Sequence, residues 1–361
     1  MDDIRGATLS GGIWKLRDVL QGGAGYELVR WPRLLGPEAY DVVVGWGHKA
    51  TAASARRLAK RHEKPYVAIE DGWVRSLQPG PRELPRSLIL DHSGIYYDAA
   101  TPSDLERLIT ASAGATDGET ILRAERGMAR LRNEAVSKYN HAPRRDATAL
   151  GLTQRGPRPR VLVVDQTYGD ASVAGGGADE STFVRMLAAA KAEHPGAEIL
   201  LKLHPEVMSG AKRGYLAGRT RELDGARIIA QAVNPWSLIE LVDHVYVVSS
   251  QLGFEALMAG VRVSCFGAPF YAGWCLTDDR VAIPRRTARP TLAEIFAAAY
   301  FDYALYVDVG TGQRISLEAA VDQIVRDRRR AATAQTSGRT NVPSWSGMGW
   351  RSLRSTETPR T

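Results

Sequence analysis

Between Tyr40 and Trp46 the chain is dominated by apolar residues; Ala52, Ala55, Leu58 and Ala59 then recur at helical spacing, and Tyr66–Ile69 is apolar again. This succession predicts strand, helix and strand, the repeating unit of a parallel sheet. Leu88–Leu90 is a further short strand candidate. Thr101-Pro102-Ser103-Asp104 places a capping hydroxyl and a proline before Leu105, Leu108 and Ile109, the signature of a helix start. A long helical stretch follows from about Glu119 to Val136, after which polar, Gly- and Pro-containing residues reach Arg160. Residues 1–140 read as one Rossmann-like domain and 141–160 as a linker.

The same grammar restarts at Val161-Leu162-Val163-Val164, a continuous apolar run of the kind buried on both faces of a parallel sheet. Phe183, Met186, Leu187 and Ala190 mark its helix. Ile199–Leu203, Arg227–Ala230, Val245–Val248 and Arg262–Phe266 are the next strands, interleaved with helices opened by Asn234-Pro235 and spanning Leu252–Ala259. The pattern predicts an α/β protein in which a second Rossmann-like domain, 161–285, faces the first across a cleft. Thr291 and Glu294 form a capping box that opens a helical C-terminal segment, 286–330. The remainder, 331–361, is rich in Ser, Thr, Gly and Pro without periodicity and is expected to be unpacked.

Composition narrows the classes. With 361 residues, 44% of them hydrophobic, the chain can fill two cores. It contains no apolar run of the roughly 18 residues that a membrane span needs, and its opening residues lack the basic and apolar regions of a secretory signal, so the cytoplasm is the expected compartment. Cys265 and Cys275 are its two cysteines, too few for a disulfide framework and not in metal-ligand spacing; no metal is expected. The net charge of +7 asks for an anionic partner. Arg326, Arg328, Arg329 and Arg330 point to peripheral contact with an anionic membrane surface, whereas few aromatics stand among the basic residues, which disfavours nucleic acid.

Ligands of parallel α/β sheets bind beyond the carboxyl ends of the strands. After Val164 come Asp165-Gln166-Thr167 and then Asp170, a candidate nucleophile or base whose plainer reading is a helix cap. Lys202 ends another apolar run and is followed by His204-Pro205, either an anion contact or a turn. Ser249-Ser250-Gln251 opens a helix carrying Glu255, a geometry that offers hydroxyls and free amides to a phosphate and an acceptor to ribose. In the front half His48, Glu70 with Asp71, and Arg75 follow strands, and Glu70 is the candidate base for an acceptor hydroxyl. Each has a structural alternative as a turn, capping or core residue.

Taken in order, Gly12-Ile13-Trp14, Gly45-Trp46-Gly47-His48, Glu70-Asp71-Gly72-Trp73-Val74-Arg75-Ser76, Gly94–Asp98, Ser137-Lys138-Tyr139-Asn140, Val164–Thr167, Lys202-Leu203-His204-Pro205, Ser250–Leu257 and Phe270–Trp274 resemble the capsule-polysaccharide β-Kdo transferases over roughly residues 10–325. Those are cytoplasmic enzymes that build an oligo-Kdo linker on a lipid. The resemblance implies a GT-B fold, CMP-β-Kdo as donor with no further cofactor, a Kdo-terminated glycolipid as acceptor, and retention of configuration. It further implies that Asp170 is the nucleophile, that Glu70 activates the acceptor, and that His204, Lys202 and the Ser249–Gln251 junction stabilise the leaving phosphate. Gln166, Arg75, His48, Lys138 and Pro205 fall on matching positions and are expected to bind substrate. The chain departs from the family in carrying one transferase module rather than two in tandem, and in having Cys275 where the family has glycine. A sugar-nucleotide epimerase of similar fold and a non-catalytic glycolipid-binding protein are the alternative readings.

Overall fold

The structure, a computed structural model, describes residues 4–30, 32, 34–80, 83–153, 157–203, 207, 212–219 and 221–336. Two sheets form it. The front sheet joins β1 (Ile4–Thr8), β2 (Tyr26–Arg30), β3 (Val42–Trp46), β4 (Tyr66–Asp71) and β5 (Ser87–Asp91) to β12 (Ala304–Val307) and β13 (Arg314–Ile315), in the order β13-β12-β5-β4-β3-β1-β2. β2, β1, β3 and β4 are parallel, whereas β5, β12 and β13 each run antiparallel to their neighbour. Val43, Val44, Val67, Ala68 and Ile69 are fully buried, as continuous apolar strands between covering helices must be.

The rear sheet contains β6 (Arg160–Val164), β7 (Glu198–Lys202), β8 (Ala226–Ile229), β9 (His244–Val247), β10 (Arg262–Cys265) and β11 (Asp278–Asp279), in the order β11-β10-β9-β6-β7-β8. All its pairings are parallel. The carboxyl ends of its strands therefore share one edge, the edge that faces the front domain. β6, with every residue buried, is the interior strand around which this sheet is built.

The C-terminal segment departs from the helical expectation for 286–330. Helix Leu292–Ala297 opens with the expected Thr291–Glu294 capping box and passes into a π-helical turn, Ala298–Tyr303. The chain then re-enters the front sheet, with Leu305 opposite Leu88. Strands of four and two residues carry too little alternation to announce themselves, and their partner β5 lies far away in sequence. The final helix, Leu317–Thr336, packs on helix Gly118–Asn133. Arg123 forks onto Glu318 at 2.9 and 3.0 Å, and Arg328 donates to the carbonyls of Glu134 and Ala135, satisfying the end of the earlier helix. Arg328 is thus engaged in the fold, while Arg326, Arg329 and Arg330 are exposed. No helix of the described residues is long and apolar enough to cross a membrane. Residues 331–336 of the expected unpacked tail continue the helix; 337–361 lie outside the described residues.

Two local expectations are refined. The hydroxyl that caps helix Asp104–Ser112 is Ser103, accepting from the Glu106 amide at 3.1 Å, so Pro102 precedes the cap rather than following it. Cys275 adopts φ +65°, the left-handed region that glycine enters freely and a side chain enters at a cost of about 1 kcal/mol or more.

Candidate functional site

The rear wall of the cleft is built by strand ends. Gln166, buried just beyond β6, is its hub: Nε2 lies 3.1 Å from Ser249 Oγ, 3.3 Å from Ser172 Oγ and 3.4 Å from Asp170 Oδ2, while Oε1 accepts from the Ser249 amide at 3.0 Å. One glutamine side chain thereby ties the loop after β6 to the junction after β9. Asp170 caps the short helix Ala171–Gly175, with Oδ1 accepting from the Ser172 amide at 3.0 Å. Ser250 caps helix Gln251–Met258, and the Tyr271 hydroxyl donates to its carbonyl at 2.6 Å. Beneath this mouth, Asp165 accepts from the amides of Tyr215 and Leu216, both at 3.2 Å. Burial pushes its carboxyl up to about 6 against those hydrogen bonds.

Glu255 stands one turn into that helix and is 2% exposed. Its Oε1 accepts from Ser137 Oγ at 2.5 Å and faces the Gln251 amide at 3.4 Å. Burial raises the carboxyl to about 7, opposed by those two hydrogen bonds and by Lys202. Lys202 ends β7; burial lowers its ammonium to about 8, opposed by Glu255. These two expected ligands of the nucleotide form a coupled interior pair. A ribose reaching Glu255 has to share the carboxylate with Ser137. His204 and Pro205 lie outside the described residues.

The front wall comes from β3, β4 and their following turns. Gly47 takes φ +45°, and a Cβ there would meet the Tyr97 hydroxyl at 2.1 Å, so this turn admits only glycine. That close approach lets the Tyr97 oxygen accept from the His48 amide at 2.9 Å, while His48 Nδ1 meets Asp98 Oδ2 at 2.7 Å. Lys49 pairs with Glu70 at 2.7 Å, and Arg75 with Asp71 at 2.7 Å. The Arg75 guanidinium also donates to Ser76 and lies over the Tyr139 ring.

The walls meet at several points. The Ala99 amide donates to the Gly175 carbonyl at 2.8 Å, Gln251 Nε2 donates to the Trp73 carbonyl at 3.2 Å, and Ser137 reaches Glu255. Trp73 packs among Tyr96, Phe270 and Tyr300 with ring centroids 4.7, 4.8 and 5.8 Å away. Tyr96 marks the convergence: burial raises its phenol, Lys138 opposes, and Glu70, Asp170 and Asp71 raise it further. Sequence reasoning named Asp170, Glu70, Gln166, Arg75, His48 and Lys138, which the fold brings to these two walls. It gave no role to Lys49, Asp98, Ser137 or Ser172, whose only signal was their place beside or within the recurring motifs. Among the described residues no group of three or more His, Cys, Asp or Glu is gathered to hold a metal.

Residues 41–314 match the family described as capsule polysaccharide biosynthesis protein. The chain belongs to that family. Among its relatives is the capsule polysaccharide modification protein LipA of Neisseria meningitidis serogroup B, 41% identical over 303 residues, or 82% of this chain. The chain spans 42% of LipA's length. Among solved structures, the Thermosulfurimonas dismutans KpsC structure described as a β-Kdo 2,4 transferase superposes with a TM-score of 0.84 at 42% identity, covering 90% of this chain and 99% of that one. The same organism's KpsC β-Kdo 2,7 transferase superposes at 0.70 with 28% identity, covering 90% of this chain and 100% of that one. These likenesses extend over both sheets, and the architecture is that of a GT-B fold, as the family resemblance implied.

Proposed function

We propose that this chain is a retaining β-Kdo glycosyltransferase that moves Kdo from CMP-β-Kdo to a Kdo-terminated glycolipid in capsule linker assembly. The observation that carries the reading is the likeness to the KpsC β-Kdo 2,4 transferase over nearly its whole length. The weaker likeness to the 2,7 enzyme favours a 2,4 linkage here.

In the proposed mechanism, an Asp170 carboxylate oxygen attacks the anomeric carbon, and CMP departs with the bonding electrons as its phosphate. Glu70 then takes the proton of the acceptor hydroxyl, whose oxygen attacks the same carbon and releases Asp170. Two inversions amount to retention. CMP is assigned to Ser249, Ser250, Gln251 and Glu255, with Lys202, His204 and Pro205 near its phosphate. Arg75 and His48 are assigned to sugar contacts on the front wall. The reading places the enzyme in the cytoplasm, peripheral on the inner membrane.

Incubation with CMP-β-Kdo and a synthetic Kdo acceptor tests it. CMP release that depends on acceptor, with a β-2,4-linked disaccharide by NMR, is the expected result. An α-linked product, or no transfer from CMP-Kdo by folded protein, sinks it.

A further inference from the structure

The front sheet has a crevice to which the proposed mechanism assigns nothing. β1 runs through helices Gly11–Trp14 and Arg17–Ala24 to β2 on one side, and β3 runs through helix Ala53–Arg61 to β4 on the other, while β1 and β3 pair in parallel. The two connections therefore diverge from a point between β1 and β3. Beyond the carboxyl ends of two such strands is where an open α/β sheet takes a ligand. A pocket of about 680 Å³ lies there, within the usual size range of small-molecule sites. Leu9 and Ser10 at the end of β1, Val44 and Trp46 of β3, and Ala52 and Ala55 around the start of the following helix form its walls. Leu34 also lines it and is 84% exposed, more than any other large apolar side chain among the described residues. Exposed leucines that run into an apolar pocket mark a ligand site rather than scattered surface residues.

Two observations identify the ligand. None of the described residues that line the pocket is charged; its polar side chains are the hydroxyls of Ser10, Thr51 and Ser54. A Kdo unit carries a carboxylate, and burying that charge against such walls without a cation is costly. The pocket therefore suits an uncharged, apolar part of a substrate. Lys49 then ties it to the proposed acceptor base, since its ammonium lies 5.8 Å from the centroid of the Trp46 ring and 2.7 Å from Glu70. A molecule that presents a hydroxyl to Glu70 has its neighbouring part within reach of the pocket, whereas the donor nucleotide is assigned to the opposite wall. We infer that this pocket binds the apolar aglycone of the acceptor and so selects sugars attached to lipid over free sugars. This rests on the transferase reading. The bound part does not react, so its contacts are the same in the ground and transition states and act on KM rather than kcat.

Kinetics with the methyl and octyl β-glycosides of Kdo as acceptors, at fixed CMP-Kdo, test it. In wild type KM for the octyl glycoside should be at least tenfold lower than for the methyl glycoside, since each buried methylene is worth about fourfold, with kcat equal within about twofold. Ser54→Phe fills the pocket from a partly exposed position and should abolish that difference while leaving KM for the methyl glycoside within about twofold. Leu9→Ser combined with Leu34→Ser, both at exposed positions, should narrow it and decides the matter if Ser54→Phe does not fold. Equal KM values for the two glycosides in wild type, or an octyl advantage that neither variant reduces, overturns the inference. So does a Kdo disaccharide whose advantage over the monosaccharide is lost in Ser54→Phe, because that outcome puts a sugar in the pocket. If wild type transfers nothing from CMP-Kdo, the transferase reading fails by itself, and calorimetry of the two glycosides still tests the pocket. Tighter binding of the octyl glycoside that the pocket variants weaken supports the site, and equal binding overturns it.

Discussion

Asp170 is observed in one of the two roles that the sequence offered as alternatives, the helix cap, and is proposed for the other, the nucleophile. Oδ1 caps helix Ala171–Gly175, and Oδ2 faces the Gln166 amide at 3.4 Å, so the cap fixes the rotamer of the group assigned to attack the sugar. The duties separate by substitution, because asparagine caps about as well as aspartate but supplies no nucleophilic oxygen. Asp170→Asn should unfold at the wild-type temperature and lose transfer by orders of magnitude. Asp170→Ala should lose transfer equally and cost about 1 kcal/mol of stability besides. Both should bind CMP as wild type does, since an attack made only in the transition state adds little to ground-state binding. Thermal melts, single-turnover CMP release and CMP titration measure these in turn, and an Asp170→Asn enzyme near wild-type rate would exclude the nucleophile assignment. The carboxylate itself was legible in the sequence because it follows a buried strand. The hub beside it was not: Gln166 makes its contacts with Ser249 across a gap in sequence that only the parallel pairing of β6 and β9 closes.

At the level of elements, continuous apolar strands announced themselves, and the expected runs beginning at Val161, Ile199, Val245 and Arg262 are β6, β7, β9 and β10 within a residue at either end. The strands at or next to the two edges of the front sheet escaped: β1 and β2 alternate only partly, and β12 and β13 are short, β12 pairing with the distant β5. Helix Gln251–Met258 carries the feature with the clearest pH consequence. Glu255 holds protons to about 7 in the fold against an ordinary value of 4.5, so between those values the native state binds more protons than the unfolded chain. Stability from this group is present below pH 4.5 and is lost as pH rises through about 7. Lys202 acts in a different window with the opposite slope, since its ammonium is lowered from 10.5 to about 8. Glu255→Gln keeps an acceptor for Ser137 while removing the titration. The difference in melting temperature between wild type and Glu255→Gln should therefore shift in favour of the variant as pH rises from about 5 to about 7. A difference that stays flat over that range would show that Glu255 does not carry the raised pKa.

For the whole molecule, the presence of two sheets was readable because the strand and helix pattern restarts near Val161. The return of the C-terminus to the front sheet was not, since it depends on a pairing rather than a period. That return also sorts the basic cluster. Helix Leu317–Thr336 is held to the front domain by Arg123–Glu318 and Arg86–Asp327 contacts and by Arg328, which donates to the carbonyls of Glu134 and Ala135. Arg326, Arg329 and Arg330 remain exposed, with Arg330 only loosely near Asp327 at 3.8 Å. If the chain attaches to an anionic leaflet as proposed, these three arginines are the ones free to make the contact. Each charge near such a surface is worth about fivefold in partitioning, so replacing all three with glutamine should weaken binding to phosphatidylglycerol vesicles by on the order of a hundredfold. Because the charges are exposed, wild-type binding should also fall steeply between low and physiological salt. Arg328→Gln is the contrasting variant: it leaves two helix-end carbonyls without their donor and should lower the melting temperature while changing vesicle binding little. Sedimentation with vesicles of stated charge, across a salt series, reads all of these. Binding indifferent to salt, or a triple variant that partitions like wild type, would place the membrane contact elsewhere on the molecule.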